Sequence, residues 1–141
     1  MTKPILTGFL LSNDLQQLPG EQGVGVALMN PLNTLILPFI PNTFSFAVSF
    51  GFTNIDITKP HKLNFFIKDP NGNIVANAEN INLPAEENTN NLPIEAQGFN
   101  FNFNLRNVQF MVEGKYTATV HVDSYTVAEF PCYVYTNNKM K

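Results

Sequence analysis

The chain has 141 residues, 44% of them hydrophobic and 13% charged, with 13 phenylalanines and a net charge of −3. A chain of that length buries roughly two-thirds of its unfolded surface in one core, and this composition excludes a disordered tail or a second full domain. Arg106 is the single arginine, so no basic stripe exists to neutralise a run of phosphates, which excludes nucleic acid as a partner.

At the amino terminus the apolar run Ile5 to Leu11 is broken by Thr7 and Gly8. It is too short for a signal-peptide core or a membrane span and reads as a first strand, with no membrane role. Gly20, Gly23 and Gly25 interrupt Val24 to Met29, and Pro31, Pro38 and Pro41 bracket Leu35 to Ile40. Both segments are predicted to be short, irregular strands. Thr43 to Phe52 alternates strictly, with Phe44, Phe46, Val48, Phe50 and Phe52 on one face and small or polar residues on the other. That is the pattern of a half-buried strand.

Leu63, Phe65 and Ile67 open the next strand. Asp69-Pro70-Asn71-Gly72-Asn73 should turn it into a hairpin with Ile74 to Ala78, because proline presets φ and Asn-Gly tolerates positive φ. Residues 82–97 carry two prolines and three glutamates and predict a long mobile loop. Gly98 to Arg106 alternates again, with Phe99, Phe101, Phe103 and Leu105 on one side and Asn100, Asn102, Asn104 and Arg106 opposite. Asn107 to Glu113 is the best place for a single helical turn. Tyr116 to Val122 and Thr126 to Tyr135 supply the last strands, Pro131 implying a bulge or an edge position. Residues 136–141 form a short polar tail.

These elements predict an all-β fold: one domain over 1–141, a two-sheet antiparallel β-sandwich with about seven to nine short strands and little helix. Gly114-Lys115-Tyr116 places a tyrosine just inside a late strand after a tight corner, as in the tyrosine corner of immunoglobulin-like sandwiches. The paired cysteines and the tryptophan of true immunoglobulin domains are missing.

Several segments together carry a family resemblance. They are Leu10-Leu11-Ser12-Asn13-Asp14, Leu37-Pro38-Phe39-Ile40-Pro41, Ile67 to Gly72, Val108-Gln109-Phe110 and Gly114-Lys115-Tyr116. The chain resembles a family of uncharacterised bacterial proteins, a domain of unknown function. The resemblance implies a β-sandwich and transfers no activity, cofactor or site residue. The wealth of asparagine departs from that family and suggests an AT-rich genome, such as a phage or mobile element.

Chemistry-bearing residues are sparse. His121 and Asp123 share a strand face without a nucleophile elbow, which favours a solvated strand end over catalysis. His61 follows Pro60 in a turn and is expected to have no partner of its own. Two isolated histidines and one cysteine make no zinc set. Cys132 alternates with Phe130 and Val134, as a buried small hydrophobe does; being unpaired, it points to a reducing compartment, the cytoplasm or a phage particle assembled there. Asp69 to Asn73 has oxygens at alternating positions but one carboxylate, so a hairpin turn is favoured over a calcium loop. Gly20 to Gly25 lacks the ending of a phosphate loop. No enzyme, metal or cofactor is expected.

Two surfaces stand out. The amide row Asn100, Asn102 and Asn104, continued by Arg106, presents hydrogen-bonding groups from one sheet face. Tyr133 and Tyr135, near an edge guarded by few charges, offer a place for a second copy to pair. The leading expectation is a non-enzymatic protein-interaction or assembly domain, self-associating as a homodimer or binding another protein. The alternative is a small-ligand or carbohydrate-binding module using the asparagine face.

Overall fold

A computed structural model describes residues 3–20 and 23–137. Among these residues nine strands form two sheets: β1 (Ile5–Gly20), β2 (Gly23–Leu32), β3 (Thr34–Leu37), β4 (Asn42–Thr53), β5 (His61–Lys68), β6 (Ile74–Leu83), β7 (Gly98–Phe110), β8 (Gly114–Val122) and β9 (Tyr125–Thr136). The four-stranded sheet has the order β2-β1-β4-β7 and the five-stranded sheet β3-β9-β8-β5-β6. Every pairing is antiparallel except that of β3 with β9. The all-β, two-sheet expectation holds, with one parallel pair added.

Alternation decides which face is buried. Phe46, Val48, Phe50 and Phe52 of β4 meet Leu63, Phe65 and Ile67 of β5, with Tyr116, Val120 and Val122 of β8, in one continuous core. Phe50 lies 5.7 Å from Phe65 and Phe9 lies 4.4 Å from Phe130, ring centroid to centroid, across the two sheets. Offset aromatic stacking at such distances adds about 0.5–1.5 kcal/mol per pair to the burial of area. Tyr116 is fully buried; its hydroxyl donates to the Val112 carbonyl at 2.7 Å, four residues upstream, and its ring meets Phe110 edge-on. The tyrosine corner is therefore present.

Strands are longer than the sequence pattern implies. β1 runs 16 residues and β2 runs 10, because the glycines that punctuate them are accommodated within a regular antiparallel register from Leu11↔Leu32 to Gly20↔Gly23. Residues 107–110 continue β7, where a helical turn was expected; the only helical segment among the described residues is a 3₁₀ turn at Ile94–Ala96. β6 extends through Leu83, so the loop begins at Pro84. In that loop Gln97 is buried, its amide oxygen accepting from the Ile57 N–H at 3.0 Å and its amide nitrogen donating to the Leu92 carbonyl at 2.9 Å. The predicted turn is formed: Asp69 N–H donates to Asn73, Gly72 N–H donates to Asp69, and Gly72 takes φ 89°. The β8–β9 bulge falls where Val120 and His121 step past Ala128 and Thr126 rather than at Pro131, which lies on the flank of β9 that β3 does not reach.

Asparagine has a conformational role here. Of six non-glycine residues with positive φ among those described, five are asparagines: Asn30, Asn54, Asn80, Asn91 and Asn107. Asparagine tolerates the left-handed region better than other side chains. Two of them build matched bulges. Asn107 on β7 donates its N–H to Ser45 Oγ at 2.9 Å, and Asn80 on β6 donates its N–H to Asn64 Oδ1 at 2.7 Å. Each bulged residue sits on an edge strand, and a side chain of the facing strand captures the N–H that leaves the ladder.

Candidate functional site

The asparagine row is real, and the register shows what lies beside it. Across the four-stranded sheet the outward rows run Asn100–Gly51–Gly8, Asn102–Ser49–Leu10 and Asn104–Ala47–Ser12. Each asparagine thus faces a small residue on β4. Ser49 Oγ donates to Asn102 Oδ1 at 2.7 Å, which fixes that amide and leaves both protons of its nitrogen pointing away from the bond. A Cβ on Gly51 would collide with Asn100 Oδ1 and meet Thr7 Oγ1 at 3.1 Å, so the asparagine lies over bare glycine. At Gly8 a Cβ would meet nothing within 4 Å, because that position opens into a groove.

The groove, of about 370 Å³, is floored by Gly8 and Gly51 and bordered by Asn100 and Asn102, with Leu10, Val26 and Leu28 along its apolar side. β1 pairs with β4 only over Ile5–Ser12, and beyond that only with β2. For Val26 and Leu28 to reach the same groove as Gly8, the β1–β2 arm must bend back across this face. Full burial of the outward-row residues Ser12 and Ala47 agrees with such cover. Sequence reasoning found the asparagines but missed the groove. Its visible signal was the pair of glycines, one breaking the first apolar run and one in the polar row of Thr43 to Phe52.

Arg106 continues the row and stands 3.9 Å from Asp14, both well exposed, a surface pair worth little. Tyr133 and Tyr135 lie on the other sheet, so the structure does not join the two halves of the expected surface. Their strand is also not an edge there. β3 pairs with residues 133–136 in parallel, covering the side that was expected to be open, and brings Ile36 beside Tyr135. A four-residue strand between prolines carries too little periodicity to announce that pairing.

His61 does have a partner. Its Nδ1 lies 2.7 Å from Asp123 Oδ2 and its Nε2 lies 2.7 Å from the Asp56 carbonyl, while Asp123 Oδ1 accepts from the Lys62 N–H. The aspartate therefore serves His61 rather than His121, which stacks on Phe66 instead. Both ring nitrogens are engaged, and the arrangement fastens the loop before β5 to the β8–β9 turn. The hydroxyl and then the N–H of Thr58 hold the Asp56 carboxyl below its usual range. Asp69 is likewise lowered, chiefly by the Asn73 N–H, and its Oδ1 is occupied by the N–H groups of Asn71 and Asn73. Burial pushes the Cys132 thiol up to about 11. Among the described residues no three acidic, histidine or cysteine groups gather as a metal set, and no helix is long and apolar enough to cross a membrane.

The fold and this surface define a two-sheet β-sandwich domain with an amide-lined outer face. A family model described as a family of unknown function, DUF6941, matches residues 10–135, and the chain belongs to that family. A search of curated proteins found no match. Among solved structures, a β-glucosidase from Listeria innocua in complex with isofagomine is similar at 14% identity with a TM-score of 0.43. The likeness covers 95% of this chain and only 16% of that one.

Proposed function

We propose that this chain is a non-enzymatic assembly domain, of bacterial or phage origin and acting in the cytoplasm or a phage particle, that joins a second copy of itself through the free edge of β2. The observation that carries this reading is the state of that edge. β2 is the outermost strand of its sheet, its ten residues pair only with β1, and the stretch Gln22 to Ile55 that contains it has no charged residue. Val26 and Met29 are exposed on it.

Unpaired N–H and C=O groups along an edge are a template for another strand, and proteins ordinarily guard such edges with lysine, proline or a bulge. The edges β6 and β7 carry bulges, and β3 is only four residues long. β2 has neither device before Asn30. Antiparallel pairing of β2 with its own copy about a two-fold axis sets residue i opposite j and j opposite i, and because the segment carries no charge no like-charge contact arises. The product is one continuous eight-stranded sheet.

Light scattering coupled to size exclusion tests this reading over a concentration series. A dimer that Met29→Lys converts to a folded monomer is expected. A wild-type chain that stays monomeric to high micromolar concentration overturns the reading, as does a dimer indifferent to the lysine.

A further inference from the structure

We infer that the groove over Gly8 and Gly51 is a binding site for a neutral, hydroxyl-rich small molecule of mono- or disaccharide size. Its volume of about 370 Å³ lies at the lower end of the range of small-ligand sites. Among the described residues no charged side chain lines it. A charged ligand entering it would surrender hydration with no ionic partner in return, so the site selects neutral compounds.

The polar groups present suit hydroxyls. The Ser49 hydroxyl and the Asn100 and Asn102 amides offer both donors and acceptors, and the Ser49 bond to Asn102 settles which end of that amide is spent internally. A sugar hydroxyl, being donor and acceptor at once, matches such a mixed set, whereas a purely accepting or purely donating group leaves part of it unpaired. Opposite the amides, Leu10, Val26 and Leu28 supply an apolar wall for the C–H face of a ring. A side chain at Gly8 would extend into the space between wall and amides, whereas over Gly51 the Asn100 amide already takes the place of a Cβ. The register places these two glycines directly opposite each other, so the floor is bare backbone over two adjacent strands. Asn104 lies one row away, opposite buried Ala47, and takes no part. The site uses a sheet face and the proposed pairing uses a strand edge, so the two readings stand or fall separately.

The experiment is a titration of isotope-labelled protein with glucose, galactose, N-acetylglucosamine and maltose, each to about 50 mM, where a millimolar Kd is saturated. Side-chain amide signals of Asn100 and Asn102 and backbone signals of Gly8 and Gly51 should shift together for at least one sugar. Gly8→Leu sets an apolar side chain in the groove at a position where a Cβ meets nothing within 4 Å. It should keep the wild-type spectrum elsewhere and weaken binding at least about tenfold. Asn102→Leu, which keeps the volume and removes the amide, should do the same. No shift at these signals with any of the sugars overturns the inference, and so does sugar binding that either variant leaves unchanged.

Discussion

His61 and Asp123, 62 residues apart in sequence, meet at 2.7 Å and are held there from both sides, by the Asp56 carbonyl behind the ring and the Lys62 N–H behind the carboxylate. Asp123→Ala removes an acceptor from both the ring and the backbone and should cost about 2 kcal/mol in urea unfolding. Asp123→Asn should cost much less. Its Oδ1 still accepts from Lys62, and its amide can donate to Nδ1 of a ring whose proton sits on Nε2, facing Asp56. Equal losses in the two variants would show that the negative charge itself, rather than the hydrogen-bond geometry, holds the junction.

Tyr116→Phe should lower stability by about 1 kcal/mol, the net value of one buried hydrogen bond, without altering the fold. Burial raises the phenol above its ordinary value, so the neutral form is favoured in the native state. The contribution is therefore complete below the unfolded tyrosine pKa of about 10 and is lost as pH rises through the higher native value. Cys132 acts with the same sign at a lower onset, its native thiol standing at about 11. Melting temperatures followed into the alkaline range should fall less steeply in Tyr116→Phe than in the wild type.

The same thiol should be silent toward a disulfide reagent at pH about 8, where a free cysteine of pKa about 8.5 is substantially ionised. Labelling is expected only as fast as the β8–β9 pairing opens, and denaturant should accelerate it. Rapid labelling of folded protein would contradict the buried position of Cys132 on β9, opposite Tyr116 of β8.

Ser45→Ala and Asn64→Ala each strand one bulge N–H, that of Asn107 or of Asn80, and each should cost about 1 kcal/mol. Asn107→Gly should be nearly neutral because φ 54° suits glycine. Asn107→Val should be costlier than either, since a β-branched residue resists that conformation. Equilibrium unfolding of the four variants gives the ranking directly.

The parts of the fold that sequence exposes are those where period-two alternation is unbroken. Phe44 to Phe52 and Phe99 to Leu105 announce both their strands and the buried face, and Gly114-Lys115-Tyr116 announces the corner. Alternation fails at Asn80 and Asn107, where an extra residue shifts the register and the strand nevertheless continues, so β6 and β7 run past the ends that the pattern predicts. Gly23 and Gly25 obscure the length of β2 rather than its presence, although its register with β1 is regular. The asparagine row was legible because its members are two apart. The groove beside it was not, since it depends on Gly8 and Gly51 becoming neighbours and on an arm that bends. His61 with Asp123 and β3 with β9 are contacts between distant segments, and nothing local encodes them.

The parallel pairing of Thr34–Leu37 with Tyr133–Thr136 also orders events on the ribosome. The β1–β2 arm can close as soon as it emerges, but Leu35 and Leu37, both core residues, wait for their strand partner until the far end of β9 has been made. Contacts of such sequence separation form late and slowly. Through most of synthesis the nascent chain therefore carries β3 without its strand partner, inside a stretch from Gln22 to Ile55 that has no charge, the period in which it is most exposed to chaperones and to premature meetings with its own kind.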